Sequence, residues 1–105
     1  HLVQMLMEGA LERIALAKAS MARNEIAMKG QNISRAINIV GGLQGSLNKE
    51  AGGAIAENLS NLYDYMARRL LIANTQNDES ILDEVSGLMI ELKMGWDGIP
   101  DEFKH

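Results

Sequence analysis

The chain of 105 residues contains no cysteine. Disulfide staples, thiolate nucleophiles and cysteine-based zinc sites are therefore excluded. Histidine occurs only as His1 and His105, at the two ends of the sequence. Glu102 and His105 make a single Glu-x-x-His spacing at the end of the sequence, where a di-iron bundle needs two, and the His-Glu-x-x-His of zinc proteases is missing. Ser20, Ser34, Ser46, Ser60, Ser80 and Ser86 have no internal histidine to activate them. Pro100 is the one proline, and no Pro-, Gly- or Ser-rich spacer marks a domain boundary. No apolar run is long enough to span a bilayer, so membrane insertion is not expected. Neither charge sign dominates: 10 basic residues are scattered among 14 acidic ones, for a net charge of −4. That balance gives no phosphate-binding footprint and no attraction to an anionic lipid surface, so nucleic acid is not expected as a partner.

Two short features invite chemistry and fail to support it. Gly41-Gly42-Leu43-Gln44-Gly45 lacks the Gly-Lys-Ser/Thr ending and the preceding strand of a phosphate loop. Asp83 and Glu84 are adjacent, and so point to different faces of a helix instead of forming an acid/base dyad. An enzyme is not expected, and neither a cofactor nor a metal is implied.

What the chain does have is apolar content, 47%, against 23% charged residues. That composition folds, and the length suits a single domain over 1–105. His1-Leu2-Val3 opens inside an apolar-periodic pattern with no N-cap in front, so residues preceding the first helix are expected to be missing. Methionine occurs seven times, while the aromatics total four (one Trp, two Tyr, one Phe). Methionine fills irregular gaps in cores and also makes adaptable binding surfaces.

Apolar residues recur at three- and four-residue steps throughout, the period of a helix. A first helix runs to about residue 22, with Leu2, Leu6, Gly9, Ala10, Arg13 and Ala17 on one side, widened by Val3, Ile14 and Met21. Asn24 then reads as the N-cap of a second helix over about 25–47, whose stripe is Ile26, Ile33, Ile37, Val40 and Leu47. Gly41, Gly42 and Gly45 weaken its last two turns, which are expected to fray or else to be held by close packing against a neighbour. Asn48 can cap a third helix reaching about residue 76, with Ile55, Leu59, Leu62, Met66 and Ala73 as its central stripe. Asn77, Asp78 and Ser80 each suit the cap of a fourth helix, and Ser80 with Asp83 resembles a capping box. That helix presents Ile81, Leu82, Val85, Leu88, Met89, Leu92 and Trp96, and ends near Gly98 because Pro100 disfavours helix at Ile99. No alternating β-branched run is present. Short connections make consecutive helices antiparallel neighbours, so the fold class is all-α, an antiparallel up-down four-helix bundle. Helices of about 22 residues make it roughly 33 Å long.

The third helix carries more apolar surface than a bundle position needs. Its polar arc of Glu57, Ser60, Asn61, Asp64 and Arg68 spans only about 100°, where a surface helix shows the reverse proportion. Tyr63, Leu70 and Leu71 spread to one side of the stripe, Tyr65 and Ile72 to the other. On the first helix Met5, Met7, Leu11 and Leu16 lie off the stripe. Ile39 and Leu43 edge the second helix, and Ile90 and Met94 fall opposite the stripe of the fourth. Either the third helix touches three neighbours, or part of this surface awaits a partner. The partner can be a helix laid into a groove between bundle helices, or a second copy of the chain in a homodimer or larger homo-oligomer.

Three blocks carry a family likeness: LVQMLMEGALERI at 2–14, GGAIAENLSNLYDYMARRLLIANTQND at 52–78 and LDEVSGLMIELKMGWDGI at 82–99. Leu-Tyr-Asp-Tyr-Met followed by Arg-Arg-Leu is the most specific part. In these blocks the chain resembles the flagellin-specific export chaperone family, FliS, of bacterial flagellar secretion. The resemblance implies a cytoplasmic helical bundle that is not an enzyme. It implies binding of the disordered C-terminal segment of flagellin, which folds into helices as it wraps the chaperone. Early polymerisation is thereby prevented, and the subunit is delivered to the flagellar export gate. Met7 stands where the family usually has Tyr or Phe, and the family's tyrosine-containing segment and Ser-Pro entry to the first helix are not in this sequence. On this reading the client contacts are Ile39 and Leu43, then Tyr65, Leu71 and Ile72, with Ile90 and Met94 behind them. The rival reading is a structural homo-oligomer or a general helix-binding adaptor.

Overall fold

The computed structural model describes residues 2–47 and 49–98. They form four helices: α1 (Leu2–Ala22), α2 (Ile26–Gly45), α3 (Lys49–Gln76) and α4 (Glu79–Gly98). Each helix packs on the next, and α4 returns to pack on α1, so the four close into an antiparallel up-down ring. The all-α bundle expected from periodicity is the observed fold. Its long axis is 44 Å, longer than equal helices would give. The longest element is α3, 28 residues interrupted at Gly53, of which 54–76 alone run about 35 Å at 1.5 Å per residue.

Two asparagines settle how the helices end. Asn24 has φ 61°, in the left-handed region. Its amide donates to the carbonyl of Met21, and the amide of Glu25 donates back to Ser20 at 2.8 Å. These bonds satisfy the last carbonyls of α1. Asn24 therefore stops α1 and does not cap α2: the N-cap is Glu25, which makes no side-chain capping bond. Asn77, at φ 54°, ends α3 the same way, with Asp78 donating to Ala73 at 3.1 Å. Asp78 then starts α4, its Oδ1 accepting from the Ser80 amide at 2.9 Å and the Ser80 hydroxyl at 2.6 Å. Those two bonds hold the Asp78 carboxyl below its ordinary pKa. Ser80 lies inside α4, so it is no cap and heads no capping box. The expected cap at Asn48 lies outside the described residues.

The three glycines near the end of α2 do not interrupt it. The helix is regular through Gly45, and the Ser46 hydroxyl donates to the Leu43 carbonyl at 2.9 Å. The interruption comes instead at Gly53 in α3, with φ 53° and ψ −125°, values reserved for glycine. A Cβ on the preceding Gly52 would lie 2.8 Å from the Ala56 Cβ. Both glycines are thus tied to the bend.

The core is built from Met7, Ile14, Ile33, Val40, Leu43, Tyr63, Met66, Leu70, Leu82, Val85 and Met89, all fully enclosed. On α4 the expected stripe is the buried one, with Leu88 and Leu92 partly covered. On α3 the centre is rotated from the expected stripe. Tyr63 and Leu70 point straight in, while Leu59 and Leu62 are partly covered and Ile55 is exposed. On α1 and α2, Leu2 and Ile26 are exposed although Ile26 shares the face of buried Ile33. Each opens its helix, at an end of the bundle where burial runs out. The α2 stripe also takes two polar residues, Lys29 and Asn32. Lys29 Nζ donates to the Asn74 carbonyl at 3.2 Å and to Asn77 Oδ1 at 2.9 Å, placing a cation on the C-terminal end of α3, where the helix dipole favours it.

Candidate docking surface

Polar ties close every seam of the ring. Between α1 and α2, Arg13 Nη1 donates to Asn32 Oδ1 at 3.3 Å. Between α2 and α3, Gln44 Nε2 donates to Ser60 Oγ at 3.0 Å and Asp64 Oδ1 at 2.9 Å. Between α3 and α4, one carboxylate takes two donors. Glu84 Oε2 accepts from the Tyr65 hydroxyl at 2.6 Å, and Oε1 from Arg69 Nε at 2.8 Å. The Tyr65 bond, then the Arg69 bond, pull the Glu84 pKa down, and the same carboxylate raises those of Tyr65 and Arg69. Between α4 and α1, Lys18 pairs with Asp83 at 2.8 Å and Lys93 with Glu8 at 3.9 Å. These solvated pairs add little stability, but they mark which flank of each helix faces which neighbour.

With the seams marked, the exposed apolar residues can be placed. They are Leu2, Met5, Leu16, Ile26, Met28, Ile55, Tyr65, Leu71, Ile90 and Met94. Residues seven apart share a helix face. Leu2, Gly9 and Leu16 form one such row on α1, and a Cβ added to Gly9 would lie 3.5 Å from the Ile39 Cδ1 of α2. Met5 stands one turn before Gly9. On α2, Met28 lies three turns before Ile39, along the same flank. The α1/α2 seam therefore carries Leu2, Met5, Leu16 and Met28 at its rim, with partly buried Ile39 between them. Leu71 is seven residues from Asp64 and so faces the α2 side of α3. Tyr65 and Ile72 share the α4 side. Ile90 is seven residues from Asp83 and leans toward α1, with Met94 one turn further on the outer face.

The residues expected to meet a client do not gather in one groove. Ile39 belongs to the α1/α2 seam, Leu71 to the α2/α3 side, Tyr65 and Ile72 to the α3/α4 seam, and Ile90 and Met94 to the outside of α4. Leu43 is on none of them: it is fully enclosed in the core, because it follows Ala36 and Val40 on the inward face of α2. Met7, set apart from the stripe by the sequence reading, is also core. Sequence reasoning missed Met28, whose signal is its 11-residue spacing from Ile39, three turns along one flank.

The described residues contain no group of three His, Cys, Asp or Glu placed to hold a metal ion, and none of their helices is long and apolar enough to cross a membrane. Fold and surface define a class of protein: an all-α four-helix bundle with apolar rows left uncovered on its outer faces. Comparison with known sequences then names the family. The flagellar protein FliS family matches residues 1–102. The flagellar secretion chaperone FliSB of Pseudomonas aeruginosa is 55% identical over 99 residues, covering 94% of this chain and 79% of that protein. The flagellar secretion chaperone FliS of Vibrio cholerae is 43% identical over 104 residues, 99% of this chain and 76% of its own. That of Bacillus subtilis is 34% identical over 96 residues, 91% and 71% of the two chains. The chain belongs to the FliS family, whose named relatives are flagellar secretion chaperones.

Proposed function

We propose that this protein is a cytoplasmic export chaperone that binds the disordered C-terminal segment of flagellin, keeps it from polymerising and presents it to the flagellar export gate. The observation that carries this reading is the distribution of exposed apolar side chains on a bundle whose core is already filled. Leu2, Met5, Leu16 and Met28 line one seam, while Leu71, Tyr65 with Ile72, and Ile90 with Met94 lie on other sides. A single helix in one groove would need one row. A segment that folds as it wraps the bundle uses several, and its apolar faces cover what the chaperone leaves open.

Calorimetry and circular dichroism with a peptide of the flagellin C-terminal segment test this. The expected result is one peptide per chaperone, a negative heat-capacity change from apolar burial, and a gain of helix from ordering of the peptide. Absence of heat together with an unchanged dichroism spectrum would sink it. Sedimentation of the chaperone alone separates the rival: a tight homodimer unmoved by peptide would assign the apolar rows to self-association.

A further inference from the structure

All seven methionines fall in the described region, and they divide into two sets. Met7, Met21, Met66 and Met89 are between 0% and 7% exposed, inside the core. Met5, Met28 and Met94 are 66%, 50% and 70% exposed, with no methionine between the two groups. The exposed three all stand among the apolar rows described above: Met5 and Met28 on the α1/α2 seam, Met94 beside Ile90 on α4. A thioether in water is open to two-electron oxidation, whereas one packed in a core is shielded until the core opens.

We propose that Met5, Met28 and Met94 form a peroxide-sensitive set whose oxidation in the free chaperone blocks client docking while leaving the bundle folded. This rests on the reading that these rows receive the client. The chemistry balances with hydrogen peroxide as oxidant. The sulfur gives up two electrons to the O–O bond, one peroxide oxygen becomes the sulfoxide oxygen, and the other leaves as water. In the free chaperone that new acceptor stays hydrated and the core is untouched. Beneath the apolar face of a docked helix it loses its water and meets no donor. A polar group buried without its hydrogen bond weakens an interface by about tenfold or more. Leucine at the same positions keeps the apolar contact and has no sulfur to oxidise.

The experiment treats the chaperone alone with hydrogen peroxide, removes the oxidant, and then adds the flagellin C-terminal peptide. Mass mapping is expected to find one added oxygen at each of Met5, Met28 and Met94 before any at Met7, Met21, Met66 or Met89, with the helical dichroism retained. Calorimetry is expected to show peptide affinity reduced about tenfold or more, and restored by methionine sulfoxide reductase driven by a dithiol. The combined variant Met5→Leu, Met28→Leu, Met94→Leu is expected to bind equally before and after peroxide. If that variant does not fold, Met94→Leu alone serves, and is expected to lose less affinity than the unsubstituted chain. Oxidation of core methionines at the same rate, or unchanged affinity of the oxidised chain, would overturn the switch and leave the chaperone reading standing. Failure of the untreated chain to bind would overturn both.

Discussion

Leu43 and Met5 are both unbranched at Cβ and both apolar, yet one is enclosed and the other stands in water. Leu43→Ala is expected to cost about 2–5 kcal/mol in denaturant unfolding, because the core cannot collapse fully around the lost atoms. Met5→Ala is expected to leave the midpoint within about 0.5 kcal/mol, as for ordinary surface positions. Tyr63 shows burial acting on a proton. Its hydroxyl is pushed up to about 12 from 10.0 by loss of solvent, since the phenolate is the form that burial penalises. The unfolded chain ionises first as pH rises, so this contribution is full below 10.0 and is lost as pH climbs toward 12. Thermal melts across that range should fall more gently for Tyr63→Phe. Legibility at this scale followed chemistry. That Tyr63 is large and apolar could be read from the sequence. That it sits at the centre of the core could not, because a helix apolar on most sides does not mark which side faces in.

At the scale of elements, helix type and number were written in the period of apolar residues, and the ends were not. Asn24 and Asn77 look like starts on composition, but the left-handed conformation makes each a stop, since asparagine tolerates that region better than other residues with a Cβ. Glycine carried opposite meanings on neighbouring elements. Space for a Cβ is open at Gly41 in α2, so Gly41→Ala is expected to stabilise by about 0.4–1 kcal/mol. Gly53→Ala puts a side chain on a backbone only glycine adopts, and is expected to destabilise by about 1–3 kcal/mol. Chemical denaturation of the two variants should move the midpoint in opposite directions. The α3/α4 clasp gives a pH prediction with the reverse sign to Tyr63. Glu84 is held below 4.5 by the Tyr65 and Arg69 bonds, so its contribution is present above that value and is lost as pH falls through the depressed one. Glu84→Gln should show a smaller drop in melting temperature on acidification than the unsubstituted chain.

For the whole molecule, the ring of seams explains why a small protein can leave apolar rows uncovered. The filled core holds the four helices without help from the outer faces, whose apolar rows stay exposed. Charge placed on those faces should separate folding from docking. Met5→Glu with Leu16→Glu is expected to keep helicity and melting temperature near those of the parent, while weakening flagellin-peptide binding about tenfold or more. Loss of both together would mean that the α1 row belongs to the core. The scatter of Ile39, Tyr65, Leu71, Ile72, Ile90 and Met94 over several sides could not be foreseen, because a helical wheel ranks residues about one axis and says nothing of which neighbour stands at which angle.

The sequence by itself determined four antiparallel helices, the α4 stripe, a surplus of apolar surface and the family likeness. Each follows from local repetition or from residue identity, which the chain carries along its length. Only the tertiary structure decided that Leu43 and Met7 are core, that Met5 and Met28 share a seam, and that α3 bends at Gly53. Burial is a property of what stands opposite, and that is set when four helices close on one another.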